Sequence, residues 1–350
     1  MSTEERNSHS LSLAHFATLW KMRNSWTLRL AALLLLAVSL AVTQTTPAAK
    51  GRWYKGNLHT HTLNSDGDST PTEVATWYRE HGYSFLLLSD HNHLTEVAGL
   101  NALHASKGQF VLLQGEEVTD AYDKYPIHIN AYDLATELQP RHGASVTATI
   151  QNNVDAILAA KALPSINHPN FHWAVTANDL LSVRNLGLME VYNGHPEVNN
   201  VGEGGFHSLD EMWDVLLTAG RPIKGIAVDD AHHFKKFGRE FSNPGRGWIQ
   251  VRAESLTPGA IRAAIEQGQF YASSGVKLAD IQISATEYKL EIEARSEEKF
   301  TTSFIGTGGK ILARSYDTAP VYHIKGDEGY VRARVDSSYD QSAWTQPTRK

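Results

Sequence analysis

Beyond residue 50 the chain alternates between two textures. Short runs of consecutive apolar residues such as "YSFLLLSDH", "QFVLLQGEEV", "ALPSINHPN", "LGLMEVYNG" and "RPIKGIAVDDAHH" read as strands. "RWYKGNLHTH" precedes them as a first strand, and "YPIHINAYDL" stands fourth. Between them lie stretches with helical spacing. Thr70-Pro71-Thr72-Glu73 and Ser208-Leu209-Asp210-Glu211 are capping boxes, in which cap and third residue satisfy each other's orphan N–H groups. Val74, Trp77 and Tyr78 mark one buried helix face, and Met212, Trp213, Leu216 and Leu217 another. Further helices are expected over 94–106 and 147–161, with Gly82 and Gly220 where helices stop.

Apolar runs without alternation, separated by helices, predict a parallel sheet buried on both faces. Seven such units between residues 52 and 235 point to a closed or nearly closed β/α barrel rather than a doubly wound sheet. One more helix follows, capped by Thr257, opened by Pro258 and stopped at Gly268. From Lys277 the pattern changes: "YKLEIEAR" and "YVRARV" alternate apolar with charged residues, as half-exposed antiparallel strands do. The expected organisation is an α/β barrel over 50–275 and a small all-β module over 276–350.

The N-terminal segment is different. "LAALLLLAVSLAV", residues 30 to 42, is an unbroken apolar run, but a membrane span needs about 20 such residues. With Lys21, Arg23 and Arg29 before it and "TPAAKG" after it, residues 1–48 read as a secretory signal peptide, with Met22 as the expected start of translation. The chain would then be exported, to the periplasm or outside the cell. Left uncleaved, the same segment would be its one membrane anchor. A formal net charge of −6 gives no footing for a polyanion-binding surface, so no specific nucleic-acid binding is expected. The absence of cysteine excludes disulfides, a lipidation site and thiolate ligands, which leaves nitrogen and oxygen donors for any metal.

Such donors gather where the strands end. His59 and His61 are two apart, a spacing that puts both on one face of a strand. Asp66 follows in the next loop. His91 ends strand two, Glu116 or Glu117 strand three and His168 strand five, while His128 lies in strand four. Asp230 and His232, after strand seven, repeat the spacing of two. In a parallel barrel these ends share one rim, where β/α barrels build their active sites. Bare buried imidazoles and carboxylates would be costly there, and metal coordination removes the cost. Singly, each has a plainer reading: "NHP" as a turn, His128 as a core histidine, His59 and His61 on a solvated edge. The repetition at six of seven strand ends favours a metal cluster.

"HTHTLNSDG", "LLLSDHN", "LLQGEEVT", "IHINAY", "SINHP" and "VDDAHH" together resemble the PHP family, named from polymerase and histidinol phosphatase. The stretch "GRGWIQVRAESLTPGAIRAAIEQGQFYASSGV" and the tail "AWTQP" are similar to its secreted, carbaryl-hydrolase-like branch. The resemblance implies a distorted (β/α)7 TIM-like barrel holding two or three divalent ions, zinc, manganese or iron. By position it implies a first metal on His59, His61, Glu117 and Asp230, and a second on Glu117, His128 and His168. A third would sit on Asp66, His91 and His232. The neighbours Glu116 and Asp229 are candidates to orient histidine rings. His195 is a proton donor or an ordinary loop histidine. Arg246 and Lys224 are phosphate-binding cations or plain surface charges.

The activity this implies is hydrolysis by a water that the metals deprotonate. Three readings stand. The first is a phosphoesterase acting on small phosphomono- or diesters. The second is a carboxylic ester or carbamate hydrolase with the same centre. The third is a binding module without catalysis, for which broken ligand positions would be expected and are not seen.

Overall fold

The computed structural model describes residues 51–104 and 108–349. The expected signal segment lies outside the described residues, and among them no helix is long and apolar enough to cross a membrane. The first part of the chain runs β1 (Arg52–Asn57), α1 (Pro71–Glu80), β2 (Phe85–Leu88), α2 (Ala98–His104), β3 (Val111–Tyr122), β4 (Tyr125–Tyr132), α3 (Val146–Ala159), β5 (Leu163–Ile166), α4 (Ala177–Ser182), β6 (Leu188–Asn193), α5 (Leu209–Thr218) and β7 (Lys224–Val228). Both expected capping boxes form. Glu73 N–H donates to Thr70 Oγ1 at 3.3 Å, and Thr70 N–H to Glu73 Oε2 at 2.8 Å. The six-residue helix α4 carries a third, between Thr176 and Asp179, too short to stand out by periodicity.

The chain continues through β8 (Trp248–Ala253), α6 (Pro258–Glu266), β9 (Phe270–Ser273), β10 (Leu278–Ile283), β11 (Glu287–Ile292), β12 (Phe300–Gly306), β13 (Lys310–Ser315), β14 (Val321–His323), β15 (Arg332–Ser337) and β16 (Ser342–Thr345). Thirteen of these strands form one sheet in the order β13-β12-β15-β16-β9-β8-β1-β2-β3-β4-β5-β6-β7, and β10-β11-β14 form a second. The fold is mixed α/β, and the parallel pairs of its large sheet all lie among β1 to β7.

The expectation of a wholly parallel first half is corrected at β4. It runs antiparallel to both β3 and β5, while β1-β2-β3 and β5-β6-β7 are parallel. Only Asp123 and Lys124 join β3 to β4, with Asp123 at φ 52°. A two-residue link closes a hairpin and cannot cross over to a parallel strand. Among the described residues no ladder joins β7 to β1, but the segments just beyond them meet. His61 N–H donates to Ala231 O at 2.9 Å and Asp230 N–H to His59 O at 3.1 Å.

Leu87, Ile129, Ile166, Met189, Ile226 and Ile249 pack under these strand ends with no exposed surface. Ile150 and Val154 of α3 and Trp213 of α5 cover them from outside. Truncating a buried aromatic such as Trp213 to alanine would cost about 3–5 kcal/mol. This packed floor holds steady the strand ends that carry the polar residues.

Candidate metal centre

Nine side chains from six strands and their loops converge above that floor. His59 and His61 lie just past β1, and the strand period aims both rings inward. Their Nε2 atoms each stand 3.2–3.3 Å from Glu117 Oε2 and from Asp230 Oδ1. Glu117 is not at the end of β3 but inside it, opposite Asn130, because β3 continues to Tyr122. Its other oxygen, Oε1, is 3.1 Å from His128 Nδ1 and 3.4 Å from His168 Nε2. Asp66 is 3.5 Å from His91 Nε2, 3.3 Å from His232 Nε2 and 3.5 Å from His61 Nδ1. One carboxylate, Glu117, therefore links two nests of donors, and His61 links these to a third.

The electrostatics call for positive charge. Burial lowers the His59 pKa, but Asp230, Glu117 and Glu190 around it raise it well above its ordinary value. Burial raises those of Glu117 and Asp230, yet His59 and its neighbouring imidazoles hold both well below the usual carboxylate range. Protons on the histidines meet that demand, and so do divalent cations at the same atoms. One observation separates the two. His59 Nε2, His61 Nε2, His128 Nδ1 and Glu117 Oε2 are buried without a hydrogen-bond partner. A protonated imidazole beside a carboxylate would donate to it, whereas unpaired nitrogen and oxygen lone pairs facing one point are what a hard or borderline cation takes. The donor set fits divalent metal ions.

The backbone is bent to reach this arrangement. His168 and Asp230 adopt φ of 23° and 50°, a region that non-glycine residues enter at a cost of about 1–3 kcal/mol. His172 and Trp173 in the loop after His168 do the same, at 52° and 55°. That loop lays the Phe171 ring 5.2 Å from the His168 ring, making an apolar wall beside the donors.

Other expected residues fall elsewhere. Asp229 touches no histidine: its carboxylate accepts from Asn57 Nδ2 at 2.7 Å, Tyr78 OH at 2.7 Å and the Arg246 and Gly247 N–H groups. Burial raises its pKa. Glu116 accepts from Leu138 N–H on the opposite side of β3. Strand alternation explains Glu116, since neighbours in a strand point to opposite faces. Arg246 bonds Gly194 O at 2.9 Å and Gly238 O at 2.7 Å, tying two rim loops together. Lys224 opens β7, six residues before Asp230, at the far end of the strand. His195 does approach, its ring 5.5 Å from that of His232. His93 pairs with Glu137 on the surface, and His233 with Ser242.

Sequence reading passed over Glu190, Asn193 and Asn167. Glu190 in β6 is fully buried and 2.7 Å from His59 Nδ1. Asn167 Nδ2 donates to Glu117 Oε1 at 2.8 Å. The signal for Glu190 was present, a lone acid inside the apolar run "LGLMEVY".

No family model and no curated protein matches the chain. Among solved structures, it is similar to a two-domain Bacteroides vulgatus protein named for a PHP-like metal-dependent phosphoesterase. That match has a TM-score of 0.50 and 16% identity, covering 82% of this chain and 90% of that one. It also aligns with a Chromobacterium violaceum amidohydrolase (TM-score 0.38, 17% identity, 51% and 88% covered). A Bifidobacterium adolescentis protein named as a metal-dependent phosphoesterase aligns too (TM-score 0.39, 15% identity, 63% and 96% covered). Of these three the first reaches 0.5, and at its identity it supports a likeness of fold.

Proposed function

We propose that the chain is a metal-dependent hydrolase, and within that class a phosphoesterase of the PHP type acting on small phosphate esters. The observation that carries this reading is the set of buried, unpartnered lone pairs on His59, His61, His128 and Glu117. His59, His61, Glu117 and Asp230 would hold one ion, and Glu117, His128 and His168 a second. Asp66, His91 and His232 would hold a third. Zinc, manganese and iron all suit these ligands. Divalent ions bound there supply charge neutralisation and acidify a water for attack on phosphorus.

The remaining side chains shape that chemistry. His195 Nδ1 accepts the Glu197 N–H at 3.2 Å, which leaves the proton of the neutral ring on Nε2. Burial, partly offset by Asp230, lowers its pKa. At neutral pH His195 thus serves the departing oxygen as a hydrogen-bond donor rather than as an imidazolium acid. Phe171 and its loop keep bulk water from one side of the cup. A second reading, a carboxylic ester or carbamate hydrolase, is favoured by Arg246: its guanidinium, one of two candidate phosphate contacts, is already held by two loop carbonyls.

Elemental analysis of the chain from Lys50 onward, joined to assays with bis-p-nitrophenyl phosphate, p-nitrophenyl phosphate and p-nitrophenyl acetate, tests the proposal. Two or three metals with phosphate-ester cleavage is the expected result. Metals with acetate cleavage alone would select the second reading. No metal and no turnover after reconstitution would leave a non-catalytic module.

A further inference from the structure

Of the seven strands under the cup, β6 alone contributes none of the nine candidate ligands, yet it carries Glu190 and Asn193, whose side chains both turn inward. Residues three apart in a regular strand face opposite ways. The register explains the exception. Glu190 lies beside Ile226, Tyr192 beside Ala227 and Asn193 beside Val228, so one extra residue, Val191, is inserted between 190 and 192. Ile226 and Val228 share a face, and the bulge puts Glu190 and Asn193 on that face together.

Both residues then bind several candidate ligands at once. Glu190 Oε1 accepts from His59 Nδ1 at 2.7 Å, and because a carboxylate can only accept, the proton sits on Nδ1 and the Nε2 lone pair is free. Glu190 Oε2 accepts the His168 N–H at 2.7 Å, at the residue whose φ is 23°. It also accepts from Asn193 Nδ2 at 2.8 Å, and the same Nδ2 reaches Asp230 Oδ2 at 3.1 Å. The bulge is braced from outside. A Cβ on Gly225 would come within 2.6 Å of Val191 Cγ1 and 3.0 Å of the Trp213 ring.

We propose that the β6 bulge, through Glu190 and Asn193, is the positioning device of the first two metal pockets. It sets the His59 tautomer and locks His168 and Asp230, while the Asp66–His91–His232 pocket is independent of it. This rests on the metal reading above. Glu190→Gln is the informative variant. Its single oxygen cannot replace a carboxylate that accepts three N–H groups, and its amide would face the Asn193 amide donor to donor.

The test is metal content by elemental analysis, with zinc affinity by chelator competition, on the reconstituted full chain, together with histidine 15N NMR. Zinc binding at the first two pockets should weaken by about 10–100-fold, the range for partners that orient ligands. One tight ion should remain, and the His59 ring should lose its single tautomer. Gly225→Ala, which touches no site residue, should weaken the same two pockets by displacing Val191, and Val191→Ala in the same chain should relieve it. Wild-type affinity and an unchanged His59 spectrum in Glu190→Gln would overturn the proposal alone. A wild-type chain that takes up no zinc would overturn the metal reading, and this proposal with it.

Discussion

Among the described residues, two clusters of buried ionisable groups are built in opposite ways. Between α5 and β15, Arg332 has no exposed surface, and its guanidinium meets Asp214 through two bonds, Nε at 2.8 Å and Nη2 at 2.6 Å. Asp210 stands 3.0 Å from the same Nη2, Tyr330 OH donates to Asp214 at 2.6 Å, and the guanidinium carbon lies 4.8 Å from the Trp213 ring. Opposite charges face each other there. In the cup, lone pairs face lone pairs: four donor atoms from three histidines and Glu117 point inward with nothing to meet. The first cluster is matched in charge as folded, although Arg332 Nη1 and Asp210 Oδ1 make no hydrogen bond, and it ties the C-terminal strands to the helical face. The second is complete only with cations added. Burial and charge are common to both, and the direction of the lone pairs is what separates a structural pair from a ligand site.

Substitutions in the two clusters should therefore fail differently. His61→Ala is expected to lower kcat/KM by about four orders of magnitude, roughly 5.4 kcal/mol of transition-state stabilisation. Denaturant unfolding of its metal-free form should stay within about 1 kcal/mol of wild type, since His61 Nε2 has no partner to lose. Asp214→Ala should do the reverse. It removes both bonds to a buried guanidinium and leaves it only Asp210, at a cost of about 3–5 kcal/mol out of a total stability of about 5–15. Replacing Asp214 with Leu and Arg332 with Met together should recover most of that loss. A silent Asp214→Ala, or a His61→Ala that unfolds the metal-free chain, would erase the distinction.

Chelation sharpens it further. Removing the cations should abolish turnover and lower Tm, with about 2.7 kcal/mol at stake if the ions were present at a hundredfold over Kd. Adding Mn²⁺ or Zn²⁺ back should restore both, by activity assay and calorimetry. A Tm indifferent to chelator would mean that the cup binds nothing tightly.

Most of the donors were legible because they fall at or near the ends of apolar runs, and the spacing of two at 59/61 and 230/232 drew the eye to both pairs. The helices were legible from their caps. What escaped depended on contacts between strands. The antiparallel β4 follows from a two-residue link that reads as ordinary polar sequence until the hairpin is seen. Glu190 and Asn193 share a face only because of a bulge, and nothing in "LMEVYN" announces an inserted residue. For Arg246 and Lys224 two readings stayed open, because charge type is visible in a sequence and its far partner is not.

The smallest expected effect concerns two adjacent residues of the same type. Glu117 and Glu116 are both buried, but they sit on opposite faces of β3. Imidazoles hold Glu117 below the carboxylate range, while Glu116 has one bond to Leu138 N–H, and burial pushes it from 4.5 up to about 7. The sign follows from linkage. Between pH 4.5 and about 7 the folded chain keeps a proton on Glu116 that the unfolded chain has released, so this group's contribution to stability falls as pH rises through that window. Glu116→Gln cannot titrate. It should match wild type near pH 4.5 and exceed it above pH 7 by on the order of 1 kcal/mol, the scale of one poorly satisfied buried polar group. Metal content should be untouched. Unfolding curves of the two proteins across pH, with metal removed from both, check this. A constant difference at all pH values would show that Glu116 is ionised throughout, and that it belongs electrostatically with the cup.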